Sequence, residues 1–334
     1  MTKNNDFILN EESYHSSEAN KRWLDCSTYK NFVGTAGRSA CECRALAIAK
    51  GEYVPPKTDA LLLGSYVDSY FDHSLPQFML DNMEYLYTKA SIKKFQDGKG
   101  DLELLSQFKQ ADAMIKRAIK DHLFMRYVDG ETQKIFTAEI AGKYEVKIKH
   151  RKYKKETIEV LQTFETKKYA DLFCKEKEGS WVEEIVKSVP IRVKLDSYDG
   201  KRITDIKTAS SISETYYAKD LGQRLNFIEY FGYVEQAFFY QYAVEYNTGK
   251  KLPFYLAVIS KDKEYNIPHP RLAVIQIPDK VIAEKGEEIK QKIHSVWSLI
   301  QGEYEPVPCK HCEWCADNLA LERVISMDEL MLDV

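Results

Sequence analysis

Three residues with the right chemistry for phosphodiester hydrolysis, Asp196, Asp205 and Lys207, lie on VPIRVKLDSYDGKRITDIK, residues 189–207. The stretch reads as two short strands joined at Asp199-Gly200, a dipeptide that suits a two-residue type I′ turn. That turn sets Tyr198 against Lys201, Asp196 against Ile203 and Lys194 against Asp205. Side-chain alternation then puts Arg192, Lys194, Asp196, Ile203, Asp205 and Lys207 on one face, with Ile191, Val193, Leu195, Thr204 and Ile206 on the other. Asp196 and Asp205 become diagonal neighbours with Cβ atoms ~7–8 Å apart. Both reach a shared divalent cation, whose oxygen ligands stand ~2.0–2.5 Å away. The carbonyl of Ile206 offers a neutral ligand, and Lys207 points at the same place to orient water or stabilise developing charge. Hydrolysis of a phosphodiester needs this set, because a metal must activate water and neutralise charge on the leaving oxygen. Mg²⁺ or Mn²⁺, which prefer oxygen donors, fit it. The plain alternative is a hairpin that shows a polar face to water.

A second constellation is Cys309-x2-Cys312-x2-Cys315. Three thiolates at this spacing converge on one corner of a [4Fe–4S] cluster, with a fourth ligand from elsewhere. Zinc, which more often takes two separated C-x2-C pairs, is the alternative, and free thiols are the third reading. Cys41 and Cys43 are the available distant ligands. A third feature is Gln236 and Tyr240, which align with Gly232 as one polar stripe on an aromatic helix.

The elements that must hold these groups are legible as patterns. Helices are predicted from Ser16, over Ser39–Ala49, over Leu61–Phe71 with Gly64 and Asp68 one turn apart, over Asp101–Phe124, over Phe227–Tyr246 and over 280–300. Strands are predicted within 135–160, at Pro253–Ser260 and at Leu272–Ile277. The order implies a mixed sheet flanked by helices, in the α/β or α+β class. The chain reads as one domain over 1–334: a helical part at 1–60, a core at 61–300 with a basic insertion near 143–180, and a cysteine-bearing segment at 301–334 ending in an acidic tail. Residues 145–155 are the most basic stretch, fit either to track a phosphate backbone or to form a solvated hairpin tip. Net charge is −3, with 44% hydrophobic and 30% charged residues, so any nucleic-acid binding must be local rather than a property of the whole surface. No apolar run approaches the ~18–20 residues of a membrane span and the polar N-terminus is no signal peptide, so the expected location is cytoplasmic and the seven cysteines are expected to be thiols or ligands.

Asp196-x8-Asp205-Ile206-Lys207 followed by Gln236-x3-Tyr240 resembles the PD-(D/E)XK nuclease superfamily, within it the phage exodeoxyribonuclease VIII-like, RecE-type recombination exonucleases. Leu63-Gly64-Ser65-Tyr66-Val67-Asp68 is similar to the G-x-x-x-H element of that family, with Asp68 at the histidine position; a carboxylate also ligates Mg²⁺. Glu184 is a further acidic candidate. The resemblance covers Tyr14 to Cys315 and implies a restriction-endonuclease-like core. It further implies a metal-dependent 5′–3′ exonuclease on double-stranded DNA ends, a ring-shaped homo-oligomer and a single-strand annealing protein as partner, in a bacterial host and encoded by phage or prophage. On this resemblance Gln236 binds near the attacking water or a phosphate and Tyr240 contacts the scissile phosphate. Helicase-associated members clasp the nuclease domain with one early and three late cysteines, which favours Cys41 as the fourth ligand. Two other functions stay open: a nuclease of this fold acting on single strands, and a catalytically silent, cluster-stabilised DNA-binding or scaffold protein.

Overall fold

Alternation along one strand divides the interior in two. In Phe254–Ser260, Phe254, Leu256 and Val258 enter one apolar cluster, while Ala257 and Ile259 enter another on the opposite face. A strand buried on both faces must lie inside a sheet covered by helices on both sides. The computed structural model, which describes residues 7–152, 155–265, 267–320, 323, 324, 326 and 327, has that layering.

The central sheet runs in the order Leu272–Ile277, Phe254–Ser260, Ile203–Ala209, Ser197–Tyr198. Phe254–Ser260 and Ile203–Ala209 are parallel, so a crossover must join them, and helix Tyr233–Thr248 provides it. That helix and Asp279–Gln301 cover one face; Asp59–Phe71, Ser106–Ala118 and His122–Val128 cover the other. The continuous helix expected at Asp101–Phe124 is two helices, because the Asp121 side chain accepts from the Phe124 amide and caps a new start. Phe227–Tyr246 is likewise broken at Gly232, whose φ of +67° separates Phe227–Tyr230 from Tyr233–Thr248.

The hairpin differs from its expected register. Ser197 faces Thr204 and Tyr198 faces Ile203, leaving a four-residue loop over 199–202. The Asp199 carboxylate accepts from the amides of Lys201 and Arg202, both at 2.9 Å, and so closes an Asx-type loop instead of a two-residue turn. One step further along this register, Asp196 comes across from Asp205 rather than diagonal to it. The first strand also bends at Asp196. Before the bend, Val189–Leu195 pairs with Lys134–Ile140, and Leu24 bridges Ile191 in parallel.

The bend corrects two expected faces. Arg192 and Lys194 do not join the carboxylates: both lie against the Tyr14 ring, at 4.9 and 5.4 Å. Arg192 is wholly buried, paired to Asp25 Oδ2 at 2.8 Å and donating to the Trp23 carbonyl at 2.6 Å. Ile191, Val193 and Leu195 pack with Ile203, not with Ile206.

The basic insertion is a unit of its own. Strands Lys143–Lys152, Lys155–Phe164 and Ser180–Val186 form a three-stranded sheet that packs on helix Lys167–Lys175 around Tyr144, Val146 and Ala170. It emerges between two paired strands, at the end where Ile140 faces Val189. Glu184 is exposed on this sheet, opposite Tyr144. The expected acidic helix at the tail lies, from residue 328 on, outside the described residues.

Candidate active site

The site forms where the two hairpin strands diverge. Ile203 and Ala209 exchange main-chain hydrogen bonds with the neighbouring parallel strand, so odd-numbered residues of Ile203–Ala209 bond to that side. Even-numbered residues point their peptide groups the other way, toward the diverging strand. Ile206 therefore has no main-chain partner there. Its N–H donates to Asp196 Oδ2 at 2.9 Å, and its carbonyl accepts from Lys207 Nζ at 3.1 Å. The bend at Asp196 and the exposure of the Ile206 carbonyl are one event: the carboxylate replaces a lost ladder bond.

Asp205 and Lys207, two residues apart on a strand, share the face covered by helix Tyr233–Thr248. Asp205 is fully buried. Its Oδ2 pairs with the Lys207 ammonium, and its Oδ1 accepts from Gln236 Nε2 at 2.7 Å. Gln236 Nε2 also donates to the Tyr240 hydroxyl at 2.8 Å, across one turn of helix. Tyr233, one helical turn before Gln236, lays its ring 5.5 Å from Lys207 Nζ. The sequence reading missed Tyr233; its signal was an aromatic residue one turn before Gln236.

Asp68 reaches the same place from helix Asp59–Phe71. Gly64 on that helix faces Thr208, where an added Cβ would lie 3.5 Å from Thr208 Oγ1, an ordinary contact. Asp68 Oδ1 is buried and meets no hydrogen-bond donor among the described residues. Burial, then the nearby Asp196 charge, hold the Asp68 carboxyl well above the usual range. Burial likewise lifts Asp205 to about 7, with Asp196 adding to the rise and Lys207 opposing it. Burial opposes the charge on Lys207, but Asp205, Asp196 and Asp68 outweigh it and push its pKa up. Three carboxylates around one ammonium are short of positive charge, and an oxygen without a donor has room for a cation. The donor set, carboxylate oxygens with one peptide carbonyl, is that of a hard divalent ion.

A second donor set joins the chain's two ends. Cys41, at the N-cap of helix Glu42–Lys50, and Cys309, Cys312 and Cys315 place their sulfur atoms within 4.8 Å of one another. Cys41 Sγ lies 3.6 Å from Cys315 Sγ, and Cys309 Sγ lies 3.9 Å from Cys315 Sγ. Cys43 is turned away, its sulfur 3.3 Å from the Pro306 carbonyl. Four converging cysteine sulfurs are a group able to hold a metal. Burial opposes ionisation of Cys309, but the amides of His311 and Cys312 outweigh it and bring the thiol down to about 6.

The comparisons agree with this geometry. The chain matches the family described as "PDDEXK-like domain of unknown function" (DUF3799) over residues 25–169 and 155–318. A crystal structure of a "Putative exonuclease" from Eubacterium rectale superimposes with a TM-score of 0.75 at 31% identity, covering 98% of this chain and 100% of that one. No curated protein matches. Among the described residues no helix is long and apolar enough to cross a membrane. With the strand divergence, the buried carboxylate–lysine pair and these matches together, the chain belongs to the PDDEXK-like family and has the mixed α/β fold of a PD-(D/E)XK nuclease.

Proposed function

We propose that this chain is a divalent-metal-dependent deoxyribonuclease, specifically an exonuclease that degrades one strand 5′ to 3′ from double-stranded DNA ends. The observation that carries the reading is the network Gln236–Asp205–Lys207–Ile206, which gathers on one peptide edge the groups a hydrolytic site needs. The exonuclease name of the structural relative points the same way. Its setting is homologous recombination of a phage or prophage in a bacterial host, beside a single-strand annealing protein and in a ring-shaped homo-oligomer, as the resemblance to RecE-type enzymes implies.

In this reading Asp68, Asp196, Asp205 and the Ile206 carbonyl would hold Mg²⁺ or Mn²⁺, which when bound would acidify a water and neutralise charge on the phosphate. Lys207 keeps its charge near that phosphate because three carboxylates favour the ammonium. Gln236 fixes Asp205 through Oδ1, and Oδ2, which pairs with Lys207, is the oxygen that would turn to the cation. Tyr240, tied to Gln236, sets the side-chain amide's orientation, and the family resemblance gives it contact with the scissile phosphate.

The cysteine tetrad ties the ends of the chain across the nuclease core. The resemblance implies a [4Fe–4S] cluster; the short sulfur–sulfur distances favour one tetrahedral ion, since zinc–sulfur bonds of ~2.3 Å set sulfurs just under ~4 Å apart. A four-iron cube holds its thiolates on separate irons and spreads them wider. Metal analysis and the visible spectrum of the purified protein decide between them. Cys312→Ser is expected to lose the metal and lower thermal stability in either case; unchanged metal content would remove the tetrad from the account.

Linear duplex DNA labelled at one 5′ or one 3′ end, incubated with Mg²⁺ and with EDTA beside circular duplex and single strands, tests the activity. Metal-dependent loss of the linear form with circles spared is the expected result, and label release reads polarity. Intact linear and single-stranded DNA in both Mg²⁺ and Mn²⁺ would overturn the reading.

A further inference from the structure

A cavity of about 450 Å³ lies between the insertion and the core, behind helix Tyr233–Thr248. Tyr233, Gln236 and Tyr240 use one face of that helix for the site around Asp205. Phe238, Gln241, Tyr242 and Glu245, spaced i, i+3, i+4, i+7, share another face and form one wall of the cavity. Helix Asp279–Gln301 supplies Glu287 and Lys290, and the insertion closes the third side with Glu165, Thr166 and Tyr169. The rings are held in place. The Tyr242 hydroxyl donates to the Glu139 carbonyl at 2.8 Å, and a Cβ on Gly286 would come within 2.3 Å of the Phe238 ring.

Thr166 stands at the N-cap of helix Lys167–Lys175, where a threonine side chain ordinarily accepts from a first-turn amide. Here it makes no such bond. It is 2% exposed, and its Oγ1 meets no hydrogen-bond partner among the described residues. A buried hydroxyl keeps its desolvation cost unless something in the cavity pairs with it. The surrounding charges give the sign of that partner. Glu165, Glu245 and Glu287 share the cavity with Lys251 and Lys290, three carboxylates to two ammonium groups. Lys290 Nζ is taken up by Glu165 Oε2 at 3.1 Å and Glu287 Oε1 at 3.4 Å. Glu245, exposed at the mouth, pairs with no cation among the described residues. Burial, then the Glu165 charge, push the Tyr242 phenol up, as a negative pocket does. The rings also receive ammonium groups from the chain itself. Lys290 Nζ lies 6.0 Å from the Tyr242 centroid, and Lys168 Nζ lies 4.5 Å from that of Tyr246 and 5.6 Å from that of Tyr169.

We propose that this cavity binds one alkylammonium group from outside the chain, with the Glu245 carboxylate as its counter-charge, the Thr166 hydroxyl as an acceptor and the rings of Tyr169, Tyr242 and Tyr246 along its carbon stem. An ammonium brings what the cavity lacks, a further positive charge and N–H donors, and its methylenes suit the ring walls. The volume is that of a small-ligand pocket, which admits a small amine or the end of a lysine side chain. The proposal stands apart from the nuclease reading, since none of these residues bonds to Asp205 or Lys207.

Calorimetric titration of the full chain at neutral pH in EDTA tests it, with n-pentylamine and Nα-acetyl-lysine amide as probes and 1-pentanol as the neutral counterpart of the first. Binding of the amines and none of the alcohol is the expected result. Tyr169→Leu, which exchanges a ring for an apolar chain, is expected to weaken amine binding by about 2- to 30-fold. Thr166→Val keeps the shape, removes the hydroxyl, and is expected to weaken binding without lowering the melting temperature. Glu245→Gln, at an exposed position that the fold does not depend on, is expected to weaken it as well. Glu303→Gln removes an exposed carboxylate outside the cavity and is expected to change nothing. No binding of either amine, equal binding of 1-pentanol, or unchanged affinity in the three cavity variants overturns the proposal. A tighter fit for n-pentylamine gives the site to a free amine, and a tighter fit for Nα-acetyl-lysine amide to a lysine side chain of another protein; both uphold the alkylammonium class. Neither result depends on whether the protein cuts DNA.

Discussion

Asp68 is a buried carboxylate with one oxygen that meets no donor among the described residues. Such a group costs stability when the metal is absent, since a buried polar atom without a partner keeps its full desolvation penalty. Asp68→Asn, which removes one of three carboxylates crowded around one ammonium, is expected to raise the unfolding free energy in EDTA by about 1–2 kcal/mol while lowering Mg²⁺-dependent cleavage by about 100-fold or more. Urea denaturation and end-labelled cleavage read the two effects; a variant that is destabilised and fully active would place Asp68 outside the site. Protonation carries the same signature. Asp205 titrates near 7 in the fold, against the ordinary carboxylate value near ~4 when unfolded. Between those values the native state binds more protons, so metal-free stability is expected to fall as pH rises from about 4 to 7. Asp68, shifted the same way, adds to that slope. Denaturation at pH 5 and pH 8 in EDTA checks the sign. Asp205→Asn is expected to flatten the slope, and a steeper loss at low pH in the wild type would refute the buried-carboxylate account.

The bend at Asp196 is the device at the level of elements. Without it, the strand edge carrying Ile206 would be paired to main chain and closed to any cation. The bend is held from its far side by Arg192, which ties Val189–Leu195 to the N-terminal segment through Asp25, Asn20 and Trp23. Breaking a buried ion pair by removing one partner leaves the other charge uncompensated. Asp25→Ala is accordingly expected to cost roughly 3–5 kcal/mol, measured by urea unfolding. A loss under 1 kcal/mol would mean that the hydrophobic contacts of Leu24 and Tyr14 suffice. Gly232 acts at the same scale: its left-handed backbone ends one short helix and starts the next, which aims Gln236 and Tyr240 at the strand.

For the molecule as a whole, the insertion and the cysteine clasp are the two additions to the layered core. The insertion has its own small cluster, and its two ends leave from residues already paired, Ile140 with Val189. Replacing residues 142–187 by a short Gly/Ser turn is expected to leave metal-dependent cleavage of small substrates and a cooperative melt of the remainder. Its contacts with the rest of the chain include Glu165 with Lys290 at 3.1 Å, Lys168 Nζ donating to the Tyr246 carbonyl at 2.7 Å, and the buried Tyr144 hydroxyl beside Ser188 Oγ at 3.0 Å. Collapse of the shortened chain into insoluble protein would show that the 1–334 unit folds only as a whole.

The sequence by itself marked the candidate residues and their order along the chain. Asp196, Asp205 and Lys207 stood out as polar residues at fixed offsets on a hairpin, since a period of 2 survives any tertiary arrangement, whereas Gln236 and Tyr240 were a polar stripe on an aromatic helix that took a role only from the family resemblance. The sulfur triplet at 309–315 was readable for the same reason, since its spacing is local. What only the tertiary structure decided was everything set by long-range pairing. The hairpin register turned on the Asp199 side chain closing a longer loop, and the position of Arg192 turned on Asp25, 167 residues away in sequence. The choice of Cys41 over Cys43 depended on how one helix start meets the short helix Glu313–Asn318, whose Cys315 lies 274 residues later. The contact of Tyr216 with Tyr230, ring centroids 4.8 Å apart, left no periodic trace, because its rings come from a hairpin and a helix end whose meeting no local pattern encodes.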